Sequence, residues 1–262
     1  MKGKKFELKL TEEKIRLAIA IVIAAFVVLV IINLFRTYAD ADITDKLIKK
    51  NKAEITDMQN ATVADVEAAV NALDAANNVD ATASLRIRYQ RMFSTSVILG
   101  DSLTEGLTVY KWLTEATVFA QVGGSIIYAD ETFQKAANTM PQYAFFAYGM
   151  NDMGNYRGDA NAFIERYTEL LRAFKKTSPK TKILVNSIST PTPTAIAGNS
   201  SIGHYLEFNE AIKAMCEREK YVYIDISDIL PSNPSLYAGD GIHADPSYYP
   251  IWMDRMIKAA GM

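Results

Sequence analysis

From about Ser84 to the C-terminus, short apolar runs alternate with longer stretches of helical period, and few architectures accommodate such a pattern. Ser96–Leu99, Val118–Gln121, Tyr143–Ala147, Ile183–Ser187 and Tyr221–Ile224 read as strands. Leu103–Glu115, Ile127–Asn138, Ala160–Lys176 and Gly203–Lys220 read as the intervening helices, with a last helix over Pro246–Ala260. The strands are apolar nearly throughout, as expected when helices cover both faces of a sheet. The expected fold is therefore α/β, a three-layer α/β/α sandwich around a five-stranded parallel sheet. Right-handed crossovers then place every strand-to-helix loop along one sheet edge, where open α/β folds bind ligands.

The residues at that edge have chemistry in common. The first strand runs into Gly100-Asp101-Ser102-Leu103, the second into Gly123-Gly124-Ser125, and the third into Gly149-Met150-Asn151-Asp152. The loop after the fifth carries Asp240-Gly241-Ile242-His243. A serine hydroxyl becomes a useful nucleophile only when a base takes its proton, and an imidazole suits that task. The imidazole needs a carboxylate on its other nitrogen, and Asp240 lies three residues before His243 in a glycine-containing turn. The backbone N–H groups of Ser102 and Gly124 and the Asn151 amide are expected to stabilise an oxyanion. A glycine at 124 leaves room for backbone to approach the substrate oxygen.

Each feature has a structural competitor. Asp101-Ser102 suits a helix N-cap, Asn151-Asp152 a turn, and Gly123-Gly124 a hinge. His204 is the rival base, with no carboxylate evident to orient it, and Ser125 is the rival nucleophile. The coincidence of all four loops on one edge favours chemistry. With two histidines and one cysteine, Cys216, a metal centre is not expected, nor is an intramolecular disulfide possible. There is no P-loop, no dinucleotide fingerprint and no GxSxG elbow, so no cofactor is expected. A net charge of −2 offers no basic footprint for nucleic acid.

GDSLTEG at Gly100–Gly106, the GxND run Gly149–Asp152 and DGIH at Asp240–His243 together resemble the SGNH/GDSL hydrolases, with VGGS matching their glycine block at Gly124. The resemblance spans about Ser94 to the C-terminus, and none of the four blocks departs from the pattern. It implies a flavodoxin-like SGNH hydrolase fold, Ser102 as nucleophile, His243 as base and Asp240 as its orienter. It further implies an oxyanion hole from Ser102, Gly124 and Asn151. Asp101, Tyr128 and Asp152 are expected beside the substrate. Tyr110, Tyr148 and Tyr156 also lie near these loops and suit stacking on sugar rings or local packing.

The N-terminal third lies outside that resemblance. Leu17–Phe35 is an uncharged apolar run whose nineteen residues match the ~30 Å hydrocarbon core as a helix. Six basic residues precede it (Lys2, Lys4, Lys5, Lys9, Lys14, Arg16) and four follow within fifteen residues, which favours a cytoplasmic tail over 1–16. Ala39-Asp40-Ala41 resembles a cleavage site, but the run is longer than a signal-peptide core, so an uncleaved transmembrane helix over 17–35 is preferred. Residues 36–83 read as a helical stalk from Ile43/Leu47 and Val66/Val70/Leu73 spacing, and Thr62 with Asp65 suggests an N-cap within it. The hydrolase domain is placed at 84–262, outside the cell membrane.

Such an enzyme is expected to cleave short acyl, above all acetyl, esters on surface or cell-wall carbohydrate. An O-acyltransferase, a lysophospholipase or thioesterase, and a noncatalytic scaffold remain open.

Overall fold

The computed structural model of the protein describes residues 81–262 together with Lys49 and Lys52. The expected tail and membrane span, and nearly all of the expected stalk, lie outside the described residues. No helix among the described residues is long and apolar enough to cross a membrane.

The elements follow one another as α1 (Ala81–Met92), β1 (Ser96–Gly100), α2 (Ser102–Val109), β2 (Val118–Ala120), α3 (Asp130–Asn138), β3 (Tyr143–Ala147) and α4 (Asp152–Asn155). Then come α5 (Ala160–Thr177), β4 (Lys182–Asn186), α6 (Pro193–Gly198), α7 (Tyr205–Glu219), β5 (Val222–Ile224), α8 (Ile229–Ser232) and α9 (Tyr248–Ala260). All five strands pair in parallel in the order β2-β1-β3-β4-β5. That is the flavodoxin-like order, in which connections leave β1 and β3 toward opposite sides and open a crevice between their carboxyl ends. Ser102 follows β1 and Asn151 follows β3, so the two stand at this crevice.

Strand periodicity builds the two faces. Val97 and Leu99 of β1, Ala144 and Phe146 of β3, and Ile183 and Val185 of β4 pack on the side of α3, α5 and α7. Ile98, Phe145 and Leu184, the residues between them, pack on the side of α1 and α9. Alternation of buried residues with both faces covered is the reason the strands read as continuously apolar. At the end of β4, buried Asn186 accepts from Trp252 Nε1 at 3.0 Å and donates to Phe146 O at 3.2 Å, tying α9 to the sheet.

The observed strands match their expected bounds to within one residue at either end. The helices differ more, and for identifiable reasons. Helix α1 begins inside the stretch expected to be spacer. Only Tyr89 and, just beyond the helix, Phe93 are buried deeply along it, so its amphipathic signal is weak. Tyr89 nevertheless donates to Asp254 Oδ1 at 2.9 Å and packs edge-on against Trp112. Helix α2 stops at Val109 instead of Glu115 because Lys111 adopts a left-handed conformation (φ 60°). The N–H groups of Lys111 and Trp112 then turn back to Thr108 O and Leu107 O, both at 2.9 Å, as in a Schellman motif. Trp112 and Leu113 are thereby folded into the core over Leu107.

Candidate active site

The Ser102 hydroxyl starts from a helix terminus. Asp101 caps α2: its carboxylate accepts from Leu103 N at 3.1 Å and its carbonyl from Glu105 N at 2.9 Å. Ser102 is consequently the first helical residue, and its own N–H faces forward without an intrahelical acceptor. The capping function foreseen for this pair is real and falls to Asp101, which frees Ser102 for chemistry. Asp101 itself is buried and forms the inner wall of the cavity below Ser102.

Ser102 Oγ lies 2.8 Å from His243 Nε2, and His243 Nδ1 lies 2.5 Å from Asp240 Oδ2. Burial alone would raise the Asp240 pKa, but hydrogen bonds from the His243 ring and from the N–H groups of Ile242 and His243 hold it down at about 2. An ionised carboxylate only accepts, so Nδ1 must carry the ring proton. In the neutral ring, Nε2 is then the acceptor that faces the serine hydroxyl. The second carboxylate oxygen of Asp240 accepts from Ile242 N at 3.0 Å and His243 N at 2.9 Å, closing the loop on itself. Tyr237 and Ala244 bridge the loop's base. Gly241 is required at its tip: φ is +71°, and a Cβ there would lie 2.1 Å from Thr192 Oγ1.

The glycine block is a turn pressed against β1. Gly124 N donates to Gln121 O at 3.0 Å, and Gly123 has φ +70° at the position where a type II turn needs it. A Cβ on Gly124 would sit 2.9 Å from Gly100 O and 3.1 Å from Asp101 Cα. The glycine thus permits close packing on the backbone that leads to Ser102. The expectation that the Gly124 N–H faces the substrate is corrected, because that proton is committed to the turn. Asn151 Nδ2 donates one proton to Gly124 O at 3.0 Å, leaving its other proton and the Ser102 N–H as donors at the crevice.

Asp152 is also corrected as a substrate contact: it is fully buried and accepts from Ser125 Oγ at 2.6 Å and Ile126 N at 3.0 Å. The same bond assigns Ser125 a structural part and removes it as a rival nucleophile. His204 does have an orienting carboxylate, contrary to expectation, with Glu207 Oε2 3.0 Å from Nδ1. Its ring lies against Gly158, however, and the Ser102 hydroxyl is partnered by His243. Among the tyrosines, Tyr148 is buried against Phe133 and Tyr167, Tyr110 packs at a tilt against Tyr249 and Tyr156 packs edge-on against Phe163. Tyr128 alone of these four is widely exposed, at 79%. It stands on the rim of a cavity of about 170 Å³ that Gly124 and Ser125 also line.

Beneath Ser102 and His243 lies a small cavity of about 30 Å³. Ala147, Ile188, Ile226 and Ser189 form its floor and sides, residues that the strand-end motifs gave no reason to single out. Ala147 ends β3, Ile188 and Ser189 follow β4 and Ile226 follows β5, and only the topology brings them together. Among the described residues no group of three His, Cys, Asp or Glu side chains is placed to hold a metal ion.

Burial pushes the Asp101 carboxyl up to about 7, with the neighbouring Asp152 charge adding to the effect, and burial also raises Asp152 to about 6. An acid with a folded pKa above its unfolded value of 3.8 binds extra protons when folded, so stability falls as pH rises from about 4 to 7. Asp101→Asn keeps the cap acceptor and removes the buried charge. It is expected to raise the Tm at pH 8, with stability gained on the order of 1–4 kcal/mol, and to flatten the decline between pH 4 and 7. Melting curves of both proteins across that range check this; parallel slopes would contradict it. Asp152, untouched in this variant, retains the same sign over its own narrower window.

A sequence model of the GDSL-like Lipase/Acylhydrolase family matches residues 98–249. The fold is shared with a GDSL-like lipase from Bacteroides thetaiotaomicron, 17% identical, over 63% of this chain and 87% of that one, with a TM-score of 0.51. It is likewise shared with a Bacteroides fragilis protein assigned as an acylhydrolase, 15% identical, over 63% of this chain and 86% of that one, with a TM-score of 0.53. At these identities the likeness concerns the fold. No curated protein matches the sequence.

Proposed function

The chain belongs to the GDSL-like lipase/acylhydrolase family and is a serine ester hydrolase, and from that premise we propose that it removes short O-acyl groups, acetyl foremost, through an acyl-enzyme on Ser102. The observation that carries the proposal is the unbroken relay Ser102 Oγ, His243 Nε2, His243 Nδ1, Asp240 Oδ2, at 2.8 and 2.5 Å. His243 takes the hydroxyl proton as Oγ attacks the ester carbon, and Asp240 stabilises the imidazolium that results. The Ser102 N–H and the free proton of Asn151 Nδ2 receive the charge developing on the carbonyl oxygen. His243 then returns its proton to the departing alkoxide, and water repeats the sequence to release the acid.

The cavity under the nucleophile supports a short acyl group. At about 30 Å³ it has room for little more than a methyl group or a water molecule. Each methylene refused or accepted by an apolar pocket is worth about 1–3 kcal/mol. The p-nitrophenyl esters of acetate, butyrate and octanoate are therefore expected to fall in kcat/KM by roughly tenfold or more at each step. A rise from acetate to octanoate would overturn the short-acyl reading.

We further propose that the substrate is an O-acylated carbohydrate at the cell surface. Exposed Tyr128 beside the glycine turn supports a sugar leaving group, and the uncharged run Leu17–Phe35 supports an anchored, extracytoplasmic domain.

A further inference from the structure

We propose that Asp152 is a positioning residue for the oxyanion donors, acting by fastening the glycine turn to the Asn151 loop. This rests on the esterase reading above and adds a residue whose side chain touches no substrate.

Three consecutive residues of one loop are held by two consecutive residues of another. Asn151 Nδ2 donates to Gly124 O at 3.0 Å, while Asp152 Oδ1 accepts from Ser125 Oγ at 2.6 Å and from Ile126 N at 3.0 Å. The loops come from different crossovers, one after β2 and one after β3, and β1 lies between those two strands in the sheet. Nothing covalent holds them in register across that gap. The clamp does so directly under the point where Gly124 packs on Gly100 and Asp101.

A carboxylate suits this place better than an amide or hydroxyl. One Asp152 oxygen takes two donors at once, and a charged acceptor makes each bond about twice as strong as a neutral one. Asp152 has no exposed surface, and its other oxygen, Oδ2, is buried with no hydrogen-bond partner. Leaving such an atom unsatisfied normally costs stability. A side chain kept for stability alone would be better as an apolar residue of similar size. Keeping the carboxylate makes sense when loop geometry, and with it the direction of the Asn151 amide, is what the residue secures. The bond between Asn151 and Gly124 O transmits the constraint: if the turn drifts, the amide rotates with it and its free proton leaves the crevice.

The test compares Asp152→Ala, Asp152→Asn and Ser125→Ala with the wild type, using p-nitrophenyl acetate and a boronic acid that forms a tetrahedral adduct on serine. Active-site titration first fixes the fraction of competent enzyme, which separates misfolding from misplacement. Asp152→Ala is expected to lose 10- to 100-fold in kcat with KM changed less than threefold. Its boronate inhibition constant should rise in parallel with the loss in kcat/KM, because both report the oxyanion donors. Asn at 152 retains an acceptor for Ser125 and Ile126 and should recover most of the loss. Ser125→Ala, which removes only one of the two donors, should fall between and supplies the result if the alanine variant does not fold. Wild-type activity with unchanged kcat and boronate affinity in Asp152→Ala or Ser125→Ala would overturn the clamp alone. A wild type inert toward every ester would instead remove the esterase reading, and the clamp with it.

Discussion

Ser102→Ala is expected to lose on the order of 10⁴–10⁶ in kcat/KM toward p-nitrophenyl acetate while folding as the wild type does. The size of the loss follows from geometry. The hydroxyl is the atom to which His243 Nε2 is directed, and removing it leaves a correctly oriented imidazole with nothing to deprotonate except water. Whatever rate persists reflects the Ser102 N–H, the Asn151 amide and substrate binding, which together retain some acceleration over water. Folding should be spared because Asp101, not Ser102, caps α2, and no backbone bond of the turn uses the Ser102 hydroxyl. Thermal melting beside kinetics separates the two effects. A residual rate within tenfold of wild type would take Ser102 out of the mechanism.

Asp240→Asn should cost about 10³–10⁴ in kcat. The substitution keeps the size of the side chain and one acceptor, but the amide N–H₂ no longer satisfies the Nδ1 proton. His243 is then free to adopt the tautomer that places its proton on Nε2, facing Ser102, where it blocks general-base action. The Ile242 and His243 N–H bonds to Oδ1 survive in the amide, so the loop shape is retained and the loss is one of protonation rather than position. Stopped assays at rising pH sharpen the test. The variant should stay depressed at every pH at which the wild type is active. A variant recovering full activity near neutrality would show that Asp240 does no orienting.

These expectations differ in how far the bare sequence supports them. The relay was legible because Ser102, Asp240 and His243 lie in short motifs whose residue types have few joint explanations, and because β/α alternation assigns their loops to one edge. The strand pattern was legible for a related reason: burial on both faces leaves nearly uninterrupted apolar runs such as Val97–Leu99 and Ala144–Phe146. Four things were hidden. Which protons are already spent is a property of local turns, and the Gly124 N–H is consumed by a bond to Gln121 O that no motif announces. Whether a polar residue faces ligand or protein depends on its rotamer and the neighbouring loop, so no motif announces that Asp101 accepts from Leu103 N or that Asp152 is buried against Ser125. The cavity residues Ile188, Ser189 and Ile226 are ordinary strand-end residues until the sheet order makes them neighbours. Helix α1 escaped notice because its deeply buried groups are too few to set a clear period.

A fluorophosphonate phosphorylates only a serine whose hydroxyl is activated by a base and whose oxyanion site accepts a tetrahedral centre. Peptide mapping of the labelled protein therefore asks the central question directly. One equivalent of adduct on Ser102, abolished by heat denaturation and absent from Ser102→Ala, is the expected result. Labelling at another serine, or none in the folded wild type, would contradict a nucleophile at the head of α2.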